Sequence, residues 1–317
     1  MQKTLSIIVC ALLLGSSHLA LATTKPNSSP EILCDRSCLN TVVDDYLEAM
    51  VNHAPRRASW AKHVLFTETG VALAIGDGLW GTISAVRDNG LRFADPQSGQ
   101  VAAFEVVEEH GRAAILALRI RVEGRQIAEV ETVLSRKIDN MPFPEISGMV
   151  APDPIWNASV APSDRVPRAR MVSLADGYFD TLQLNDGKLF THFHDDCNRK
   201  ENGLQTTNRD IPNYDIAKYG CAKQFELGQY LYDTELRERR YPLVDEEKGV
   251  VLAAGFIDHA GKVTEFEWTD GTPRKSMFFY PHSFIFLEAF KILDGKIRQV
   301  EAVFSHAPYK MTTPWAD

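Results

Sequence analysis

Residues 284–303 read Phe284-Ile-Phe-Leu-Glu288-Ala-Phe-Lys-Ile-Leu-Asp294-Gly295-Lys-Ile-Arg-Gln-Val-Glu301-Ala-Val303. Two apolar, alternating runs meet at an Asp-Gly pair, the composition of a two-residue type I′ hairpin loop. The two-residue loop fixes the register, so facing residue numbers sum to about 589 along the ladder. Ile292 then faces Ile297, Phe290 faces Gln299 and Glu288 faces Glu301. Alternation puts Phe284, Phe286, Glu288 and Phe290 on one surface. Two carboxylates opposed in an aromatic surface repel, so one is expected to keep its proton at neutral pH, as a general acid or base must. The competing expectation is a structural network in which Arg or Lys from the opening helix neutralises the pair.

Working outward, the same ending occurs earlier in the chain. Val130-Glu-Thr-Val133 parallels Val300-Glu-Ala-Val303, and Tyr46-Leu-Glu-Ala49 parallels Tyr178-Phe-Asp-Thr181. Glu68-Thr-Gly and Glu201-Asn-Gly follow those tyrosines at nearly equal distance. The halves read as diverged copies of one unit. Each opens with an amphipathic helix, over residues 38–52 and 166–184, with apolar residues at i, i+3, i+4 and i+7. Strands are expected at 70–75, 79–86, 101–108, 113–122 and 127–134 of the first copy. Helix first and sheet after it is an α+β layer arrangement. Five prolines between 142 and 162 mark a linker, which places one domain at 34–140 and the other at 163–312.

The N-terminus has one basic residue, Lys3, an apolar run over 7–14 and an Ala20-Leu-Ala22 exit. That is the secretory pattern, so residues 1–22 are expected to be a signal peptide, with an extracellular or periplasmic destination. The run is too short to span a bilayer, and no membrane association is expected. The 317 residues carry 34 basic and 42 acidic side chains, and this acidic balance argues against a nucleic-acid partner. Cys34, Cys38, Cys197 and Cys221 remain after removal of Cys10 with the leader. Four cysteines allow three pairings, of which Cys34–Cys38 with Cys197–Cys221 is the natural one. A zinc site is the weaker reading, since neither pair is spaced C-x-x-C.

The stretches Gly76-Asp-Gly-Leu-Trp80, Ala94-Asp-Pro-Gln-Ser-Gly99, Asp196-Cys-Asn-Arg-Lys-Glu-Asn-Gly203 and Glu288-Ala-Phe-Lys291 resemble a family of secreted fungal and bacterial proteins. Those proteins are built from two tandem nuclear-transport-factor-2-like, or SnoaL-like, cone domains. The resemblance implies two cone-shaped domains, each with N-terminal helices on a strongly curved, mostly antiparallel sheet. The cone fold hosts dehydratases, isomerases, cyclases, hydrolases and binding modules, so it leaves the activity open.

The candidate chemistry concentrates in the second copy. His192 and His194, in Thr191-His-Phe-His194, are acid–base candidates with Glu201, Glu288 and Glu301, because histidine titrates near neutral pH. The His-x-His pair lacks a third ligand at a convincing spacing, so no metal and no cofactor is expected. Arg199 and Asn202 are candidates for holding substrate oxygens, Trp80 for a cleft wall, and Arg240 for a pocket mouth. Asp95 is placed where it could reach a shared cleft. The expected function is a secreted, cofactor-independent lyase, dehydratase or isomerase on a small or sugar-like substrate. The alternative is a non-catalytic protein that binds a small molecule or glycan in the same pocket.

Overall fold

The computed structural model describes residues 34–87, 90–137 and 144–315; the expected signal peptide at 1–22 and residues 141–143 of the expected linker lie outside them. The chain runs α1 (Arg36–Val51), β1 (Trp60–Glu68), β2 (Val71–Ala72), β3 (Ile83–Val86), β4 (Leu91–Asp95), β5 (Gln100–Glu109), β6 (Arg112–Glu123) and β7 (Gln126–Arg136). After α2 (Ile146–Val150) come α3 (Arg168–Leu184), β8 (Phe193–Glu201), β9 (Leu204–Gln205), α4 (Cys221–Glu226), β10 (Glu235–Asp245) and β11 (Val250–His259). A small hairpin, β12 (Glu265–Glu267) and β13 (Pro273–Lys275), precedes β14 (His282–Leu293) and β15 (Lys296–Ala307).

The two halves share one topology. The first sheet is ordered β2-β1-β7-β6-β5, with β3 and β4 both pairing β5. The second is ordered β9-β8-β15-β14-β11-β10, where the long β10 takes the place of β3 and β4 together. In each, the first strand lies parallel to the last and the other ladders are antiparallel. Strand β1 and strand β4 were not among the expected strands, and residues 73–82 are mostly loop and 3-10 turn rather than strand. The polar and charged composition of Lys62, His63 and Arg92 breaks the apolar pattern from which strands are read.

Local chemistry explains the helices. Asp35 caps α1, its side chain accepting from the Cys38 amide at 2.8 Å. Leu39, Val43, Tyr46, Leu47 and Met50 on its buried stripe share a core with Val101, Leu116, Leu118 and Val130 of the sheet. Helix α3 starts after Pro167 and ends on Asn185 in the left-handed conformation. Its Met171, Leu174, Tyr178 and Phe179 pack with Phe286, Phe290 and Val300. The other faces of the two sheets bury against each other. Phe93, Phe104, Ile115 and Ala117 from one meet Leu252, Ala254, Leu287 and Val303 from the other, and Trp156 joins the same layer.

The decisive hairpin holds a correction. Asp294 and Gly295 have φ of 52° and 69°, a type I′ turn, and Ile292 does face Ile297. The next pair is Lys291 with Gln299, which leaves Arg298 as an extra residue. This β-bulge shifts the register by one and turns the following side chains over. Glu288 therefore faces Ala302, and Glu301 faces Ala289. Glu288 lies on the helix side with Phe286 and Phe290, and Glu301 on the side packed against the first sheet with Leu287 and Val303. The opposed carboxylate pair does not exist. The first half has the same bulge, at Ala128 between the pairs Arg121–Glu129 and Val122–Ile127.

Both disulfides form as the natural pairing expects, Cys34 with Cys38 and Cys197 with Cys221. No described helix is long and apolar enough to cross a membrane.

Candidate active site

Strand β8 delivers the site's buried charge. Arg199 and Glu201 alternate onto the helix side, and the Arg199 Nε donates to Glu201 at 2.8 Å. The Cys197–Cys221 bridge ties α4 to β8, and α4 contributes Gln224. That amide accepts from Arg199 at 2.7 Å and from the Tyr230 hydroxyl at 2.5 Å, while it donates to the carbonyls of Thr206 and Ile216. Arg199 also donates to the Tyr230 hydroxyl and lies over the Tyr230 ring at 4.9 Å. With every partner buried, this network fixes Glu201 where β8 ends.

A cavity of about 400 Å³ opens beside Glu201. Its walls are mostly aromatic, from Tyr214, Tyr230, Tyr232, Phe278, Phe284 and Phe304, and its polar groups include Asp233 and His259. That volume and character fit a small organic ligand. The His259 Nε2 stands 2.8 Å from the Asp233 carboxylate, and both side chains are almost wholly buried. A carboxylate only accepts, so Asp233 sets the Nε2–H tautomer and leaves Nδ1 as the basic nitrogen. His282 stacks on His259 with centroids 4.5 Å apart, and His306 follows at 5.2 Å from His282.

Burial raises the Glu201 carboxyl above its ordinary range; Arg199 opposes that shift and Asp233 adds to it. Glu288 lies in the same interior. Burial pushes it up to about 8 against the pull of Arg199, with Glu201 adding to the rise. Glu301, on the other face, is pushed up to about 8 by burial with only Lys200 opposing, and neither carboxyl oxygen has a hydrogen-bond partner among the described residues.

The remaining candidates are placed elsewhere. His192 is exposed and His194 half-buried at the start of β8, and neither lines the cavity. The His194 Nδ1 accepts from the Asp196 amide at 3.2 Å. Asn202 is a structural clamp, its amide exchanging bonds of 2.9 and 3.1 Å with the Phe304 backbone. Arg240 pairs with Glu131 at 2.6 Å and lies over Trp315, between the halves rather than at a pocket mouth. Trp80 is buried in the first half, its indole donating to Tyr46 at 3.2 Å. There Tyr46 packs edge to face with both Trp60 and Trp80, which are tilted against each other. Asp95 is held by Arg168 at 2.6 Å and does not line the cavity. Among the described residues no group of three His, Cys, Asp or Glu side chains is arranged to hold a metal.

The profile of a family described as Domain of unknown function (DUF8021) matches residues 34–134 and 164–304, one stretch in each half. The chain belongs to the DUF8021 family. Comparison with curated proteins found no match to this DUF8021 chain. Solved structures similar to it include a de novo designed protein with a curved β-sheet, at 13% identity, 32% of this chain, 88% of that one and a TM-score of 0.28. An NTF-2-like protein of unknown function from Burkholderia xenovorans LB400 matches at 7% identity, 35% and 92% coverage and a TM-score of 0.27. A provisionally assigned ketosteroid isomerase from Kribbella flavida DSM 17836 matches at 11% identity, 37% and 92% coverage and a TM-score of 0.25.

Asp233 and His259 were not legible as a DUF8021 site from sequence. The available signal was a polar pair, Asp258-His259, ending an otherwise apolar strand, and an acid after Tyr230-Leu-Tyr232.

Proposed function

We propose that this DUF8021 protein is a secreted, cofactor-independent isomerase or lyase that moves a proton on a small, largely apolar organic substrate. The observation that carries this reading is the meeting of two acid–base units, Glu201–Arg199 and Asp233–His259, on one aromatic cavity. Two titratable units in different surroundings can divide the roles of acid and base. Glu201, its basicity raised by burial, takes a proton from a carbon next to a carbonyl. Asp233 holds the imidazole in one tautomer and stabilises it when charged. His259, protonated at Nδ1 from water, gives that proton at a second position or to a leaving group, while Glu201 releases to water the proton it took. Arg199 positions Glu201 and is not itself presented to the ligand. The first half, its corresponding interior packed with Trp60, Trp80 and Tyr46, serves as scaffold. The disulfides fit the proposed secretory route.

The test is solvent exchange. Carbonyl compounds that raise the melting temperature are incubated with the protein in D2O, and loss of the α-proton signal is followed by NMR. Glu201→Gln and Asp233→Asn are each expected to slow exchange by roughly 10²–10⁴-fold, the usual worth of a general acid or base. Exchange at the protein-free rate for every compound that binds overturns the reading and leaves a binding protein.

A further inference from the structure

Resting on the reading of this cavity as a ligand site, its walls also define the charge of what enters. Tyr230, Tyr232 and Phe278 stand edge to face, with centroids 6.2 and 5.2 Å apart, so their rings meet the space from different directions. The charged side chains that line it, Glu201 and Asp233, are both acidic, and none of the lining residues is a lysine or arginine. Arg199 stands behind Glu201 and matches its charge at 2.8 Å. Among the described residues Asp233 pairs with the His259 imidazole, which when neutral leaves one negative charge at the wall. An anionic ligand meets that charge with no lining cation to pair with, and desolvation makes the mismatch worse. A cation is attracted both by the carboxylates and by the ring faces.

We propose that the cavity takes an arylalkylamine, bound as its ammonium cation, and rejects aromatic carboxylates.

Three probes that share an indole ring and an ethylene tail isolate the charge: tryptamine, tryptophol and indole-3-propionate, titrated calorimetrically at pH 7. Tryptamine is expected to bind at least tenfold more tightly than tryptophol, and indole-3-propionate to show no binding at millimolar concentration. Asp233→Asn is expected to narrow the tryptamine-to-tryptophol ratio to threefold or less. Phe278→Leu, which keeps an apolar wall but removes a π face, is expected to weaken tryptamine several-fold more than tryptophol, and it serves if the Asp233 variant does not fold. Indole-3-propionate binding as tightly as tryptamine, or no binding by any of the three, overturns the proposal. Tryptamine binding without solvent exchange on any substrate leaves it standing and removes the proton-transfer reading. Exchange on a carboxylate-bearing compound does the reverse.

Discussion

Arg36 and Asp245 come from opposite halves of the chain and meet in a two-pronged ion pair, with N–O distances of 2.7 and 2.8 Å. Arg168 and Asp95 repeat it in the reciprocal sense, at 2.6 and 3.1 Å. Each aspartate also accepts a backbone amide from the other half: Ala94 donates to Asp245 and Val244 to Asp95. Residue i of one half contacts residue j of the other, and the counterpart of j contacts the counterpart of i. That is the logic of an isologous dimer interface, here within one chain.

Asp245 is fully buried while Arg36 is about a quarter exposed. Removing the guanidinium strands a desolvated carboxylate, so Arg36→Ala is expected to lower unfolding stability by about 3 kcal/mol. Urea melts measure it. A loss below about 1 kcal/mol would show that the backbone amides of Ala94 and Lys248, which both donate to Asp245, suffice.

The layer between the sheets predicts how a fragment behaves. Residues 163–317 alone would expose Leu252, Ala254, Phe256, Leu287 and Val303, which the whole chain buries. An apolar patch of that kind drives association. The fragment is expected to dimerise or aggregate in size-exclusion chromatography, and a soluble folded monomer would count against a shared core.

Glu301 sets a pH signature. Its carboxyl is raised from 4.5 to about 8 by burial, so its neutral form belongs to the folded state. The resulting stability is fully present below pH 4.5 and is lost as pH rises through 8. Glu301→Gln removes the ionisation without stranding a cation. The variant is expected to be more stable than wild type at pH 9 by about 4 kcal/mol, with little difference at pH 5. Glu288→Gln is expected to gain by a similar amount, since its carboxyl is also raised to about 8 even against the pull of Arg199. Equal alkaline slopes in wild type and Glu301→Gln would remove the assignment.

The histidine stack sets the opposite limb. Burial lowers His282, with Asp233 opposing and His259 adding to the drop. Burial, His282 and His259 all lower His306. The folded state favours neutral rings, so the unfolded chain takes up protons first as pH falls below 6.5 and stability declines. His282→Phe keeps a stacking ring and should flatten the decline between pH 7 and 5. Thermal melts at the two pH values decide it, and an unchanged slope would place the acid sensitivity elsewhere.

Much of the frame was readable along the chain because it is local. Asp294-Gly295 supplies the positive φ values of a type I′ turn, whichever fold surrounds it. Cys34 and Cys38 are one helical turn apart, and Cys197 and Cys221 were their own nearest remaining partners. The parallel landmarks at Tyr46 and Tyr178, and at Glu131 and Glu301, mark equivalent positions in two sheets of one topology. Glu201 and Arg199 could be named as functional candidates because the run from Thr191 to Gly203 concentrates polar side chains beside a cysteine.

What only the tertiary structure decided is which side of a sheet each residue faces and which distant segments converge. One extra residue at Arg298 separates Glu288 from Glu301, since a one-residue shift in a ladder exchanges its two faces. Nothing within the hairpin marks the bulge, because it depends on how both sheets twist and close. Glu131 and Glu301 occupy equivalent places, yet Glu131 is held by Arg119 and Arg240 while Glu301 has Ala289 opposite and no arginine. The site itself joins Glu201, Tyr230, Asp233, His259 and Phe278 from four separate segments. Turns, repeats and disulfide spacing are set by neighbours in sequence, so residue order determines them. A cavity is set by neighbours in space, and those exist only once the chain has folded.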